Sequence, residues 1–217
     1  MAPGKFITVE GGEGVGKSTN IDLICELVRR HGHQVVETRE PGGTPMAERI
    51  REMLLEHGDE PLPDDAELLL FFAARSLHLH NLIRPALEAG TWVICDRFTD
   101  TTRAYQGSGR GADSARIELL AEWVHGDLRP ALTVLLDAPP EVGMKRAVER
   151  GNADRLEIEK VAFHVRVREG YLRQAAAEPE RFAVIDASQS LDRVQADIER
   201  ALARVLRPQS LSGNKIR

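Results

Sequence analysis

A three-layer, doubly wound α/β fold around a five-stranded parallel sheet is the architecture this sequence predicts. Three observations carry that expectation. Five short apolar runs rich in β-branched residues, "FITV" (6–9), "QVVET" (34–38), "TWVIC" (91–95), "LTVLLD" (132–137) and "FAVID" (182–186), are nearly continuous rather than alternating. Such runs suit strands buried on both faces. Helical stretches separate them, the pattern of a sheet covered on both sides. The first run also leads straight into "EGGEGVGKSTN" (10–20), a glycine-rich turn that opens a helix.

Each element follows from local pattern. "KSTNIDLICELVRRHG" places Ile21, Ile24, Leu27 and Val28 on one stripe and stops at Gly32. "PMAERIREMLLEHG" is expected to stop in the same way at Gly58. "DAELLLFFAARSLHLHNLIRPALEAG" is long and apolar enough to cross the core, and "SARIELLAEWVHG" and the segment from about 158 to 176 are amphipathic. There is no internal repeat or long linker, so residues 1–206 read as one domain. "RPQSLSGNKIR" (207–217) loses apolar periodicity and reads as a flexible tail.

Composition narrows the function. The 217 residues are 42 % hydrophobic, enough for a core, and 29 Lys+Arg against 34 Asp+Glu leave a formal charge of −5. An acidic chain argues against a nucleic-acid partner, so any charge that meets phosphates must be gathered locally. Cys25 and Cys95 suit small, reduced, buried positions, and no Cys/His cluster has metal-ligand spacing. The apolar run near the N-terminus is too short for a signal peptide, and no run approaches a membrane span. The expectation is a cytoplasmic protein with no membrane partner.

Gly11 to Ser18 fit the phosphate-loop pattern of Gly, any four, Gly, Lys, Ser/Thr, between a strand and a helix. Its glycines let successive N–H groups turn inward on phosphate oxygens, and the helix adds the positive end of its dipole. Lys17 can reach the β/γ-phosphates, and Ser18 can offer a hydroxyl to Mg²⁺. The plain alternative is a glycine-rich turn with an incidental lysine. Asp96 and Asp137 each end an apolar run, where a magnesium-organising carboxylate belongs, although either could cap a helix or hold a loop. Asp96 is favoured because the cation Arg97 follows it, whereas Asp137, before "APPE", suits shaping the next loop.

Further features suit a second phosphorylated ligand. "TREPGGTP" (38–45) is a conformationally special loop, and Arg51 and Arg75 lie on the helices beyond. Phe71 and Arg75, four apart, share a helical face, so Phe71 could stack on a base. The alternative for Phe71 and Phe72 is core packing, and one could serve each role. "MKRAVERGNADRLE" (144–157) gathers Lys145, Arg146, Arg150 and Arg155 around "GNAD". It fits a helical lid closing over phosphates and excluding water, or, more plainly, a solvated charged helix.

Together "EGGEGVGKST", "TREPGGTP", "LLLFFAAR", "DRFTDTTRAYQGSGRG", "PEVGMKRAVERGNADRLE" and "VIDASQS" resemble the bacterial thymidylate kinases, of the nucleoside-monophosphate kinase group. The resemblance runs from residue 10 to about 190. It implies Mg²⁺-dependent transfer of the γ-phosphoryl of ATP to dTMP, giving dTDP and ADP for dTTP synthesis. It implies that Gly11, Gly12, Glu13, Gly14, Val15, Gly16, Lys17, Ser18 and Thr19 hold ATP, with Lys17 catalytic. Arg97 would bridge donor and acceptor phosphates, and Ser18 and Asp96 would organise the metal, in part through water. Arg51 would grip the monophosphate, beside Glu40 and Pro41. Phe71 would stack on thymine, and Arg75 and Gln106 would hydrogen-bond its edge. Thr102 and Tyr105 would line the pocket, Tyr105 crowding out a 2′-hydroxyl.

Glu13 would reach the acceptor sugar near its 3′-hydroxyl; on the motif alone it could equally be a solvent-facing acid. Val15 stands where some members place an arginine, and the lid carries arginines instead. Arg150 would then supply transition-state charge, with Arg146 and Arg155 behind it. "ASQS" (187–190) would lie near the donor adenine, and the family usually forms homodimers. The resemblance assigns Arg103 no role. The rivals are a kinase for another monophosphate or a nucleoside, and a nucleotide-binding switch. The switch would need no base pocket, and no guanine-reading Asn-Lys-x-Asp motif follows "LTVLLD".

Overall fold

The computed structural model describes residues 3–56, 61–150 and 159–206, the last four of the second span by their backbone only. All five expected strands form: β1 (Phe6–Gly11), β2 (Val35–Arg39), β3 (Trp92–Asp96), β4 (Leu132–Asp137) and β5 (Phe182–Asp186). They pair in parallel in the order β2-β3-β1-β4-β5. Three of them differ from the sequence reading by one or two residues at an end, where the ladder rather than composition sets the boundary.

Helices cover both faces because the central strands are buried on both sides, the polar Thr8 and Glu10 of β1 included. Ile7 and Val9 of β1 join Ile94, Leu132 and Val134 in one core layer, closed by Ile21, Ile24 and Val28 of α1 (Lys17–Arg30). Val194, Ile198 and Leu202 of α9 (Leu191–Leu206) complete that layer. The other face divides. Phe6, Val93 and Cys95 pack with Leu79, Ile83 and Phe98, while Leu135 and Phe182 pack with Phe163, Val167 and Tyr171 of α8 (Val161–Ala177). Both cysteines are buried and free.

The long apolar helix is present with an interruption. It runs as α3 (Asp64–His78), a π-helical turn (Leu79–Ile83) and α4 (Arg84–Glu88). The wide turn ends two residues before Pro85, which has no N–H and whose ring collides with the carbonyl four residues back in a regular helix. Gly32, left-handed at φ 84°, ends α1 as expected. By contrast α2 (Pro45–Leu55) ends earlier than its sequence suggests, because Glu56 already has extended backbone, φ −67° and ψ 142°. The expected stop at Gly58 lies outside the described residues. A short α5 (Thr99–Thr102), a second π-helical segment (Arg103–Gly109), α6 (Ser114–His125) and α7 (Pro140–Arg150) complete the chain.

From β1 the chain goes first toward β2 and β3 and then to β4 on the opposite side, so the order reverses beside β1. In such sheets the crevice at the carboxyl ends of the strands is where ligands bind. The ends of β1, β2 and β3 carry the Gly11–Ser18 loop, Glu40–Pro41 and Asp96–Arg97 respectively.

Candidate active site

That crevice is a cleft of about 530 Å³. At one end lie Glu13 to Thr19, and at the other Glu40, Pro41, Arg51, Phe71, Arg75 and Gln106, with Asp96, Arg97, Thr102 and Tyr105 between them. Residues separated by up to 93 positions, Glu13 and Gln106, thus share one space.

The phosphate loop packs tightly against the chain. Gly14 has φ 65°, and a Cβ there would stand 2.0 Å from the Gly143 carbonyl oxygen. A Cβ on Gly143 would in turn meet the Glu13 carbonyl oxygen at 2.1 Å. The loop and α7 approach closely only because both residues are glycine. Lys17, half-buried, donates to the carbonyls of Gly12 (2.8 Å) and Gly11 (3.4 Å). Burial, with Arg97 nearby, lowers the pKa of its ammonium.

Arg97 is the hub. It has φ 69°, the only positive φ outside glycine among the described residues. Its guanidinium pairs with Glu13 at 2.6 Å and donates to the Gly11 carbonyl at 3.1 Å. It also reaches the hydroxyls of Tyr171 (3.3 Å) and Tyr105 (3.4 Å) and lies over the Tyr105 ring, 5.0 Å from its centroid. Tyr105 donates to Glu13 at 2.7 Å. Glu13 is therefore no solvent-facing loop acid: it joins the phosphate loop to Arg97 and Tyr105.

The far end is organised by Glu40, which is buried and follows β2. Its oxygens accept from Arg75 Nε (2.7 Å) and meet His78 Nδ1 (3.0 Å), and His78 Nε2 meets the Thr38 hydroxyl at 2.7 Å. Burial works against the Glu40 charge, but Arg75 and His78 outweigh it and hold the carboxyl below its ordinary pKa. Arg75 also donates from Nη2 to Thr102 at 3.0 Å, which leaves Nη1 buried without a partner among the described residues. Gln106 Oε1 is likewise buried and unpartnered. The two phenylalanines divide as the sequence left open: Phe72 packs with Ile117 and Ala121 of α6, and Phe71 lines the cleft. Arg51 donates to the Pro41 carbonyl at 2.9 Å, turned into the same cleft.

Asp96 Oδ1 is buried without a hydrogen-bond partner among the described residues, and Ser18 shares its cleft. An oxygen pair of this kind fits a hard cation that also takes phosphate oxygens and water. No group of three His, Cys, Asp or Glu among the described residues could hold a metal by itself. Asp137 instead makes a two-pronged ion pair with Arg168 of α8, at 2.7 and 2.8 Å.

Not every expected residue joins this centre. Arg146 is exposed and donates to the Ala187 carbonyl at 3.1 Å, so it rests on the "ASQS" segment rather than in the cleft. The Arg150 side chain and Arg155 lie outside the described residues, as does the rest of 151–157. Arg103 has a structural role, pairing with Asp100 (3.0 Å) and Glu118 (2.7 Å) and so tying the π-helical segment to α6.

Sequence reasoning missed the buried groups that hold cleft residues in place. Glu10, buried in β1, accepts from Phe98 N–H (2.8 Å), Thr101 and Tyr171. Burial, helped by Asp100, pushes its carboxyl up to about 8. An acid inside an apolar strand run was the visible signal. Tyr171 and Glu67 had none, because their partners come from distant elements.

A thymidylate kinase family model matches residues 9–198. The chain is 55 % identical over 203 residues to the thymidylate kinase of Pseudomonas putida, covering 94 % of this chain and 97 % of that one. It is 58 % identical over 200 residues to that of Chromohalobacter salexigens, covering 91 % and 94 %. The crystal structure of thymidylate kinase from Ehrlichia chaffeensis superposes with a TM-score of 0.74 at 35 % identity, covering 92 % of this chain and 99 % of that one.

Proposed function

Because this chain belongs to the thymidylate kinase family and phosphorylates dTMP to dTDP with ATP, we propose that the two substrates meet end to end in the cleft described above. The loop from Gly11 to Thr19 takes the ATP phosphates, and Glu40, Pro41, Arg51, Phe71, Arg75, Thr102, Tyr105 and Gln106 take dTMP. The observation that carries the assignment is the pair of unpartnered polar atoms, Arg75 Nη1 and Gln106 Oε1, beside Phe71. A donor next to an acceptor complements the C4 carbonyl and N3–H of thymine, while Phe71 offers the ring a face. Arg51 then meets the monophosphate.

Phosphoryl transfer asks the protein mainly to position and neutralise. Lys17 stands at the donor phosphates and Arg97 between donor and acceptor, both inside a cleft where desolvation strengthens each charge. Glu13, held by Arg97 and Tyr105, faces the acceptor sugar. Ser18 and Asp96 would hold Mg²⁺, Asp96 in part through water; when bound, the ion supplies positive charge at the phosphates. Arg150 and Arg155 are the lid cations of this reading, and Arg146 steadies the loop beside the donor adenine. The catalytic domain is taken as residues 1–206, with a lid at about 144–157 and a tail at 207–217. We place the enzyme in the cytoplasm, where both its nucleotides are made; among the described residues no helix is long and apolar enough to cross a membrane.

ADP release from Mg-ATP, measured in turn with dTMP, dUMP, dCMP, dAMP, dGMP and thymidine, tests the acceptor assignment. A large preference for dTMP is expected, with dUMP a weaker substrate, since one methyl is worth only about 1–3 kcal/mol. Preference for a purine or for dCMP would overturn it. In the same assay Phe71→Ala is expected to raise the KM for dTMP about tenfold or more with a smaller loss of turnover, since stacking is worth roughly 1–3 kcal/mol. Equal KM in the two proteins would remove Phe71 from the pocket.

We also read the protein as a homodimer. Leu119 and Trp123, the latter 82 % exposed, point outward from α6, and Leu69 from α3, which packs beside it. Apolar groups of this size on two adjacent helices suit a partner surface. Trp123→Glu is expected to shift the mass in light scattering from two chains toward one. A monomeric parent would refute the dimer outright.

A further inference from the structure

We propose that Glu67 sets the base specificity of the acceptor pocket: it turns the Gln106 amide so that NH2 faces inward to the protein and Oε1 faces the base. The inference rests on the reading that Arg75 and Gln106 meet the pyrimidine edge. Glu67 lies in the first turn of α3 and is fully buried. Its Oε1 receives Gln106 Nε2 at 2.7 Å and Arg110 Nε at 3.1 Å. Arg110 is itself held by Glu159 at 3.0 Å and lies over the Phe163 ring, 5.5 Å from its centroid. The carboxylate thus has a fixed position and a fixed polarity.

An ionised carboxylate offers no hydrogen, so the half of the amide that faces it must be NH2. The other half, Oε1, is the buried atom left without a partner. Arg75 is fixed in the same manner by Glu40 and Thr102, leaving Nη1. Two buried carboxylates therefore define a two-point code of donor, then acceptor. Thymine and uracil satisfy both points with a carbonyl at C4 and N3–H. Cytosine presents an amino group to Arg75 and a lone pair to Gln106, so both contacts become donor against donor or acceptor against acceptor. Sites built to hydrogen-bond a ligand reject its mismatched analogue strongly, because the buried groups are left unpaired.

Arg110 Nε and Gln106 Nε2 share one oxygen of Glu67, which a glutamine would keep in place, so the code is tested by Glu67→Met, which leaves no acceptor and frees Gln106 to turn over. The ratio of kcat/KM for dTMP to that for dCMP is expected to fall about tenfold or more, carried mainly by a rise in the KM for dTMP. A merely structural role would lower both substrates by one factor and leave the ratio unchanged, which would overturn the proposal. Gln106→Leu separates the two readings. If it leaves the KM for dTMP unchanged, Gln106 does not meet the base and the pocket reading fails. If it raises that KM while Glu67→Met keeps the ratio, only the role of Glu67 is lost. Glu67→Gln keeps the oxygen that both donors share and so holds the Gln106 amide as the glutamate does. It is expected to keep the dTMP preference, and it serves as the test should Glu67→Met not fold; loss of the preference there would refute the polarity argument.

Discussion

Lys17→Ala is expected to lower turnover by a factor of about 10²–10³, with far less effect on the KM for dTMP. Lys17 Nζ now rests on the carbonyls of Gly12 and Gly11, the second of which also accepts from Arg97. Two cations converge on one loop carbonyl, and burial together with Arg97 lowers the lysine pKa despite nearby Glu13 and Asp96, so positive charge is crowded there. Phosphate oxygens would relieve it, and the charge then acts where negative charge gathers during transfer. A single-turnover measurement locates the loss in the chemical step. The fold should persist, because the contacts removed are donations to backbone carbonyls at the rim of a cleft. Unchanged turnover would remove Lys17 from the mechanism.

Arg97→Ala is expected to cost a similar factor or more, and to affect both substrates. The guanidinium joins Glu13, Tyr105, Tyr171 and the Gly11 carbonyl, so its loss removes a charge and also frees the groups it aligns. Arg97→Lys keeps a charge but not the planar fork, and is expected to recover only part of the rate. Full activity in the lysine variant would mean that charge alone matters at this position. Full activity in the alanine variant would sink the bridging role altogether. The backbone is left-handed here, φ 69°, for arginine and alanine alike, so strain does not confound the comparison.

Much of this was legible in the sequence, for reasons that differ by residue. The strands stood out because burial on both faces forces a continuous apolar run, and the phosphate loop because its geometry is local to eight residues. The pair Phe71 and Arg75 was readable from helical spacing. The division between Phe71 and Phe72 was not, since neighbours on a helix point about 100° apart and only the packing of α6 tells which side is core. Of the lid cations only Lys145 and Arg146 have described side chains, and Arg146 sits on the Ala187 carbonyl instead of lining the cleft.

By itself the sequence determined the fold class, the end of the sheet that works, and most of the residues that gather there. These follow from periodicity and from short motifs, whose physics is contained in a few consecutive residues. Only the tertiary structure decided which polar atoms are already satisfied. Glu40 meets Arg75 across 35 positions, Glu67 meets Gln106 across 39, and Tyr171 meets Glu10 across 161. Each carboxylate occupies some donors of a neighbour and leaves others open. Under the proposed reading that remainder meets the ligand, and hydrogen-bond capacity is taken up through distances in space, which spacing along the chain does not encode.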